Sequence, residues 1–309
     1  MANNENIDVS SFEIIGIDEN EGEVISRPRV SYFKDAWRRF KQNKVALLAL
    51  CILVLLIVMV VIGPALSGYS YQAVDKTARN VSPSLSHWFG TDKLGRDLFA
   101  RVWVGGRVSI IIGIVGALIS TVIGCIYGGV AAYFGGKVDI IMMRILEVLI
   151  SIPYLIVVIL MSIIFKSKSL AILILAMTIT GWCGMARLVR GQMLQIKNED
   201  YILATKAMGV SPWKIVTKYM IPNTISVVIV SITFDIPGYI FSEAFLSYIG
   251  LGIQPPGTSW GALASAAQAQ FTHYPFQLFY PSLMIALTML SFTLMGDGLR
   301  DALDPRLRK

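Results

Sequence analysis

The chain has 309 residues, of which 55% are hydrophobic and only 15% charged, with a formal net charge of +7. Soluble domains carry about 25% charged residues; the deficit excludes an ordinary globular protein, and apolar runs of about 20 residues point to repeated bilayer crossings. Sparse histidine and cysteine exclude a zinc or disulfide framework: His87 and His273 stand alone in polar segments, and Cys51, Cys125 and Cys183 each fall inside an apolar run.

Residues 1–30 form an acidic tail, with Glu5, Asp8, Glu13, Asp18, Glu19, Glu21 and Glu23 and no apolar core. That composition predicts disorder and no signal peptide. Residues 31–309 form the membrane domain. A bilayer core of about 30 Å takes roughly 20 helical residues. Windows of that length predict six spans, over 45–66, 108–133, 140–165, 170–188, 224–249 and 279–299. The runs are continuous rather than alternating, so they read as helices and not as barrel strands.

In the second span Gly116, Ser120, Gly124, Gly128 and Ala132 fall four apart, a spacing that lets helices approach closely in a core, at a partner seam or along a pore wall. The third span holds Arg144 and Glu147 at pairing distance, expected as an internal pair, and Pro153 as a kink. Between these spans, AAYFGGKVD (131–139) fails as a phosphate loop. Ala131 stands where the first glycine is needed, and Val138 follows the lysine.

The segment YILATKAMGVSPWKIVTKYMIP (201–222) is too polar and broken to span. Tyr201, Ala204, Thr205 and Met208 repeat at helical spacing, and Gly209 follows as a helix-ending residue. Ser211-Pro212 restarts a helix with Trp213, Val216, Thr217 and Met220 on one face, and Pro222 is expected to end it. Two short amphipathic helices at a glycine elbow need a cover. It is the lipid interface, the inner ends of the bundle, or a groove on a soluble partner.

Asp235 lies inside the fifth span, before Pro237-Gly238, and Glu243 nearer its outer end. An acid at membrane depth faces a water-filled path or pairs with a neighbouring helix; both readings stand for each residue. The 250–278 connector contains a short helix in WGALASAAQAQF. An aromatic group follows at Phe271, Tyr274, Phe276 and Phe279, for the membrane interface or the outer mouth. With the N-terminus inside, nineteen Lys and Arg residues lie inside and eight outside, which puts both termini and 201–222 in the cytoplasm. The positive charge is then met by an anionic inner leaflet and needs no nucleic acid.

ATKAMGVSPWKIVTKYMIPN resembles the inner-loop signature of ABC importer permeases, Glu-Ala-Ala, three residues, Gly, nine residues, Ile-x-Leu-Pro. Here Leu203-Ala204-Thr205 stands for the triplet, followed by Gly209 and Tyr219-Met220-Ile221-Pro222. DAWRRFKQNKVALLALCILVLLI (35–57), HWFGTDKLGRDLFARVWVGGRVSI (87–110) and SEAFLSYIGLGIQPPGTSWGALAS (242–265) resemble the C-type permease subunit of dipeptide and oligopeptide importers. The resemblance implies an all-α integral membrane protein with the six-helix type I ABC importer fold and cytoplasmic coupling helices. It also implies the partners: a second permease, two cytoplasmic ATPases that bind the ATP and Mg, and an external peptide-binding protein. The ATPase-coupling residues would be Ala204, Thr205, Met208, Gly209, Trp213 and Pro222; Asp235 and Glu243 would be path candidates. Relatives of this group also carry nickel or other small solutes. An ion-coupled secondary transporter would instead need paired membrane acids and related halves, and an enzyme would need a nucleophile, base or metal cluster; the sequence offers neither.

Overall fold

The computed structural model describes residues 32–165 and 169–304; the acidic tail, Lys166 and Lys168 lie outside the described residues. The described chain is helical, with one isolated bridge between Thr91 and Asp97. Its elements are α1 (Tyr32–Gln42), α2 (Lys44–Leu66), α3 (Leu98–Phe134), α4 (Gly136–Ser151), α5 (Tyr154–Phe165) and α6 (Leu170–Ile196). They continue with α7 (Asp200–Ala207), α8 (Pro212–Lys214), a π-helical turn (Ile215–Met220), α9 (Ile221–Tyr248), α10 (Trp260–Gln268) and α11 (Pro275–Leu303). Five helical rods are long and apolar enough to cross a membrane, and the bent pair α4–α5 supplies a sixth crossing if it counts as one.

Asn43 separates the first two helices. Its side chain caps α2 by accepting from the Ala46 amide at 3.1 Å, while Phe40 of α1 packs with Ala46 and Ala302. Along α2, the residues Ala46, Ala49, Leu53, Leu56, Val60 and Gly63 are buried at alternating three- and four-residue steps. Val54, Leu55, Val58, Val61 and Ile62 face outward. A helix that is apolar all round but buried along one stripe presents its other faces to lipid or to another membrane subunit.

The α3 helix starts ten residues before the predicted span, at Leu98. Asp97 caps it, accepting from the Ala100 amide at 2.8 Å. The added turns are held by an outer core in which Leu98, Phe99, Val102 and Trp103 pack against Trp260, Leu263 and Met284. At 37 residues, α3 is about 55 Å long, so it outreaches the hydrocarbon and carries this cap beyond it.

Its small-residue stripe closes the bundle from within. Gly116 lies under the Tyr239 ring, Gly124 against the Met185 side chain, and Gly128 against the Ala186 carbonyl. The stripe thus packs on α6 and α9 of the same chain. The third predicted span is corrected: it breaks into α4 and α5, bent by 80°. Pro153 cannot donate to the preceding turn, and Ile152 leaves helical geometry with ψ 121°. The Arg144–Glu147 pair forms at 2.8 Å but lies on an exposed face, not inside; such a pair contributes little.

Candidate coupling elbow and membrane groove

The inner elbow follows from helix-ending chemistry. After α7, Gly209 takes φ +72°. Its amide donates to the Lys206 carbonyl at 3.0 Å, and the Val210 amide to the Thr205 carbonyl at 3.2 Å. This is a Schellman closure, in which a left-handed glycine lets two successive amides reach back over the helix end. Ser211 holds the next N-cap position with Pro212 following, but its side chain makes no capping bond.

Pro222 does not end the second helix, as the sequence suggests. The chain runs from Pro212 to Tyr248 as one rod of 37 residues. The widened π turn absorbs the missing proline donor: the Ile221 amide reaches back five residues to the Val216 carbonyl, and the Asn223 side-chain amide donates to the Tyr219 carbonyl at 2.6 Å. The elbow is therefore fused to a membrane span without a loop between them.

The face of α7 also differs from the predicted one. Ile202 and Thr205 point into the bundle, with Ile202 packed among Val189, Met193, Ile215, Val216 and Met220. The Thr205 hydroxyl donates to the Ile202 carbonyl at 2.8 Å. Tyr201, Leu203, Ala204, Met208 and Trp213 face outward, together with Pro222. Met208 is 72% exposed and Trp213 57% exposed. Thr205 is thus removed from any surface a partner could touch. The predicted face erred because Tyr, Ile, Leu, Ala and Met surround this short helix almost evenly, so spacing alone selects no side.

Charge frames the elbow. Lys206 lies over the Tyr133 ring at 5.3 Å. Burial and the neighbouring Lys206 ammonium hold the Lys197 amine below its usual range, with Asp139 opposing them. Arg190 of α6 grips Asp139 of α4 through two bonds of 2.5 Å. This bidentate pair, which sequence reasoning missed, ties the inner end of the broken span to the rod beside the elbow.

The two membrane acids separate. Glu243 is fully buried and accepts from Ser109 at 2.9 Å, Ser247 at 2.6 Å and Ser259 at 2.6 Å. Ser259 also caps α10, and the Trp260 amide donates to Ser109. Glu243 thus knots α3, α9 and the outer helix together, the pairing arrangement of the two that its sequence position leaves open. Serines inside long apolar helices were the signal available for this knot.

Asp235, at the middle of α9, is half-buried and opens onto a groove of about 290 Å³, lined also by Tyr154, Met177, Phe234, Tyr239 and Ser242. The Tyr239 hydroxyl is engaged by Ser120 of α3. The Tyr154 hydroxyl is buried with no hydrogen-bond partner among the described residues. The elbow and this groove share the Pro212–Tyr248 rod, so displacement of one can reach the other through continuous helix.

Known proteins give this geometry a context. Residues 120–309 match the family described as binding-protein-dependent transport system inner membrane component, and residues 31–83 match the N-terminal transmembrane domain of oligopeptide transport permease C. The chain is 51% identical over 290 residues to the dipeptide transport system permease protein DppC of Bacillus subtilis (strain 168), covering 94% of this chain and 90% of that one. It is 45% identical over 305 residues to the oligopeptide transport system permease protein OppC of the same organism, covering 99% and 100%. A solved structure of the MetNI methionine ABC transporter in an inward-facing conformation matches with a TM-score of 0.54 at 19% identity, over 66% of this chain and 96% of that one, a likeness of fold. The chain therefore belongs to the binding-protein-dependent transport system inner membrane components and carries the N-terminal domain of their oligopeptide permease C subunits.

Proposed function

We propose that this chain is one of the two membrane halves of an ATP-driven peptide importer in the bacterial cell membrane. A second, similar permease completes the path. Two cytoplasmic ATPases bind ATP and Mg and do the hydrolysis, and an external peptide-binding protein delivers cargo. Both termini and the elbow face the cytoplasm. The peptide cargo rests on the named activities of the DppC and OppC relatives.

The observation that carries the reading is an apolar, outward-turned elbow fused to a membrane rod. Tyr201, Leu203, Ala204, Met208 and Trp213 form the surface that seats in an ATPase cleft. Thr205 and the Gly209 closure hold that surface in shape from behind. ATP biases the path only if the closed ATPase pair fits the elbow better in one permease state than in the other. A bend fixed by backbone hydrogen bonds carries such a bias, whereas a loose loop would dissipate it. Asp235, on the same rod, marks where the translocation path runs along this subunit.

The test is uptake of trialanine by vesicles holding both permeases, both ATPases and the binding protein. Uptake should require ATP and cease when both ATPases carry substituted phosphate-loop lysines. Uptake that persists with dead ATPases and follows an ion gradient instead would replace this reading with secondary transport.

A further inference from the structure

Asp235 makes no hydrogen bond or ion pair with another described residue, and no Lys, Arg or His lines its groove. The other polar side chains there are neutral: Ser242, Tyr154, whose hydroxyl is buried, and Tyr239, whose hydroxyl is taken by Ser120. A bare carboxylate at membrane depth is costly and calls for a counter-charge. The walls are Phe234, Met177 and the two tyrosine rings, and aromatic faces favour cations over anions. The groove thus offers negative charge and cation-tolerant sides. Its chemical complement is a cation carrying several N–H donors.

We propose that this groove is a station for the protonated amino group of the cargo, with the Asp235 carboxylate as its ion-pair partner. The proposal rests on the reading of the chain as a peptide-conducting permease. A free peptide amino terminus titrates near pH 7.7–8.0 on average, so most of it is charged at pH 7. One carboxylate, rather than a closed cage, suits a transit site, which must hold its cargo loosely enough to release it.

Gly238 provides the probe position, because a Cβ there meets no atom within 4 Å. Cys51, Cys125 and Cys183 are first replaced by serine or alanine, and Gly238→Cys is introduced into the fully assembled transporter. A cationic methanethiosulfonate should modify this cysteine at least about tenfold faster than an anionic one of similar size, through the local field of Asp235. Adding Asp235→Asn should erase that preference. In the otherwise unmodified transporter, Asp235→Asn should cut trialanine uptake about tenfold or more, the scale of a lost charged hydrogen bond. Both ATPases should still co-purify with that variant and respond to loaded binding protein. Equal rates for the two reagents, a preference that survives Asp235→Asn, or unchanged uptake would each overturn the proposal. Loss of the second permease from the Asp235→Asn complex would overturn it too, by assigning the counter-charge to that subunit. Failure of the ATPases to co-purify with the unsubstituted chain would instead defeat the importer reading itself.

Discussion

Replacing Gly209 with valine perturbs the elbow through its backbone alone. A Cβ at this position meets no other atom within 4 Å, so no clash enters, while φ is +72°. An L-residue in the left-handed region costs about 1–2 kcal/mol, and a β-branched side chain with a stiff χ1 sits at the upper end or beyond. Each 1.4 kcal/mol is about a factor of ten in an equilibrium. The Schellman closure that holds the Val210 amide on the Thr205 carbonyl should therefore lose about tenfold or more against opened forms of the turn. Asparagine tolerates this conformation best among the non-glycine residues, so the series Gly, Asn, Ala, Val should grade the effect. The assay is ATPase stimulation by peptide-loaded binding protein, read beside trialanine uptake and the amount of permease in the membrane. Stimulation and uptake should fall in that order while membrane insertion stays constant. Wild-type coupling in Gly209→Val would refute the claim that a fixed bend transmits the ATPase stroke.

Trp213→Ala should leave the thermal stability of the permease within about 0.5 kcal/mol, because the ring is already more than half exposed. It should weaken ATPase association about tenfold or more by removing an aromatic anchor, as measured by titrating purified ATPase onto the permease pair. Glu243→Ala strands three serine donors at about 1–3 kcal/mol for each one left unsatisfied. It should lower the unfolding temperature in detergent well below that of Glu243→Gln, which keeps an acceptor. Gly128→Val drives a branched side chain into the Ala186 backbone and should reduce the folded yield, a loss that size-exclusion profiles would register. Asp139→Ala removes the paired bonds to Arg190 at about 1 kcal/mol and should expose the α4–α6 junction to protease sooner.

Long apolar runs make spans legible because burying apolar length in lipid is a composition effect that needs no partner; α2 and the membrane parts of α3, α6, α9 and α11 follow their windows closely. Their ends do not, since α3 extends outward on contacts with Trp260 and Met284, residues far away in sequence. Gly209 was readable because one residue's φ decides a helix end. Pro222 misled because a π turn and the Asn223 amide supply what the proline lacks, a compensation spread over several residues. Pro153 was readable as a kink, though not as a break with an 80° bend, because its angle depends on what α4 and α5 pack against. The division between Glu243 and Asp235 was hidden: both are lone acids in one helix, and only the serines brought from α3 and the outer loop tell them apart.

The most direct test of the coupling surface is a photo-reactive phenylalanine analogue placed at Met208, whose side chain is largely exposed at the end of α7. Illumination of the assembled transporter should join this chain to an ATPase subunit, more strongly in one nucleotide state than in the other. Adducts with phospholipid or with the second permease, and none with an ATPase in any nucleotide state, would contradict the account.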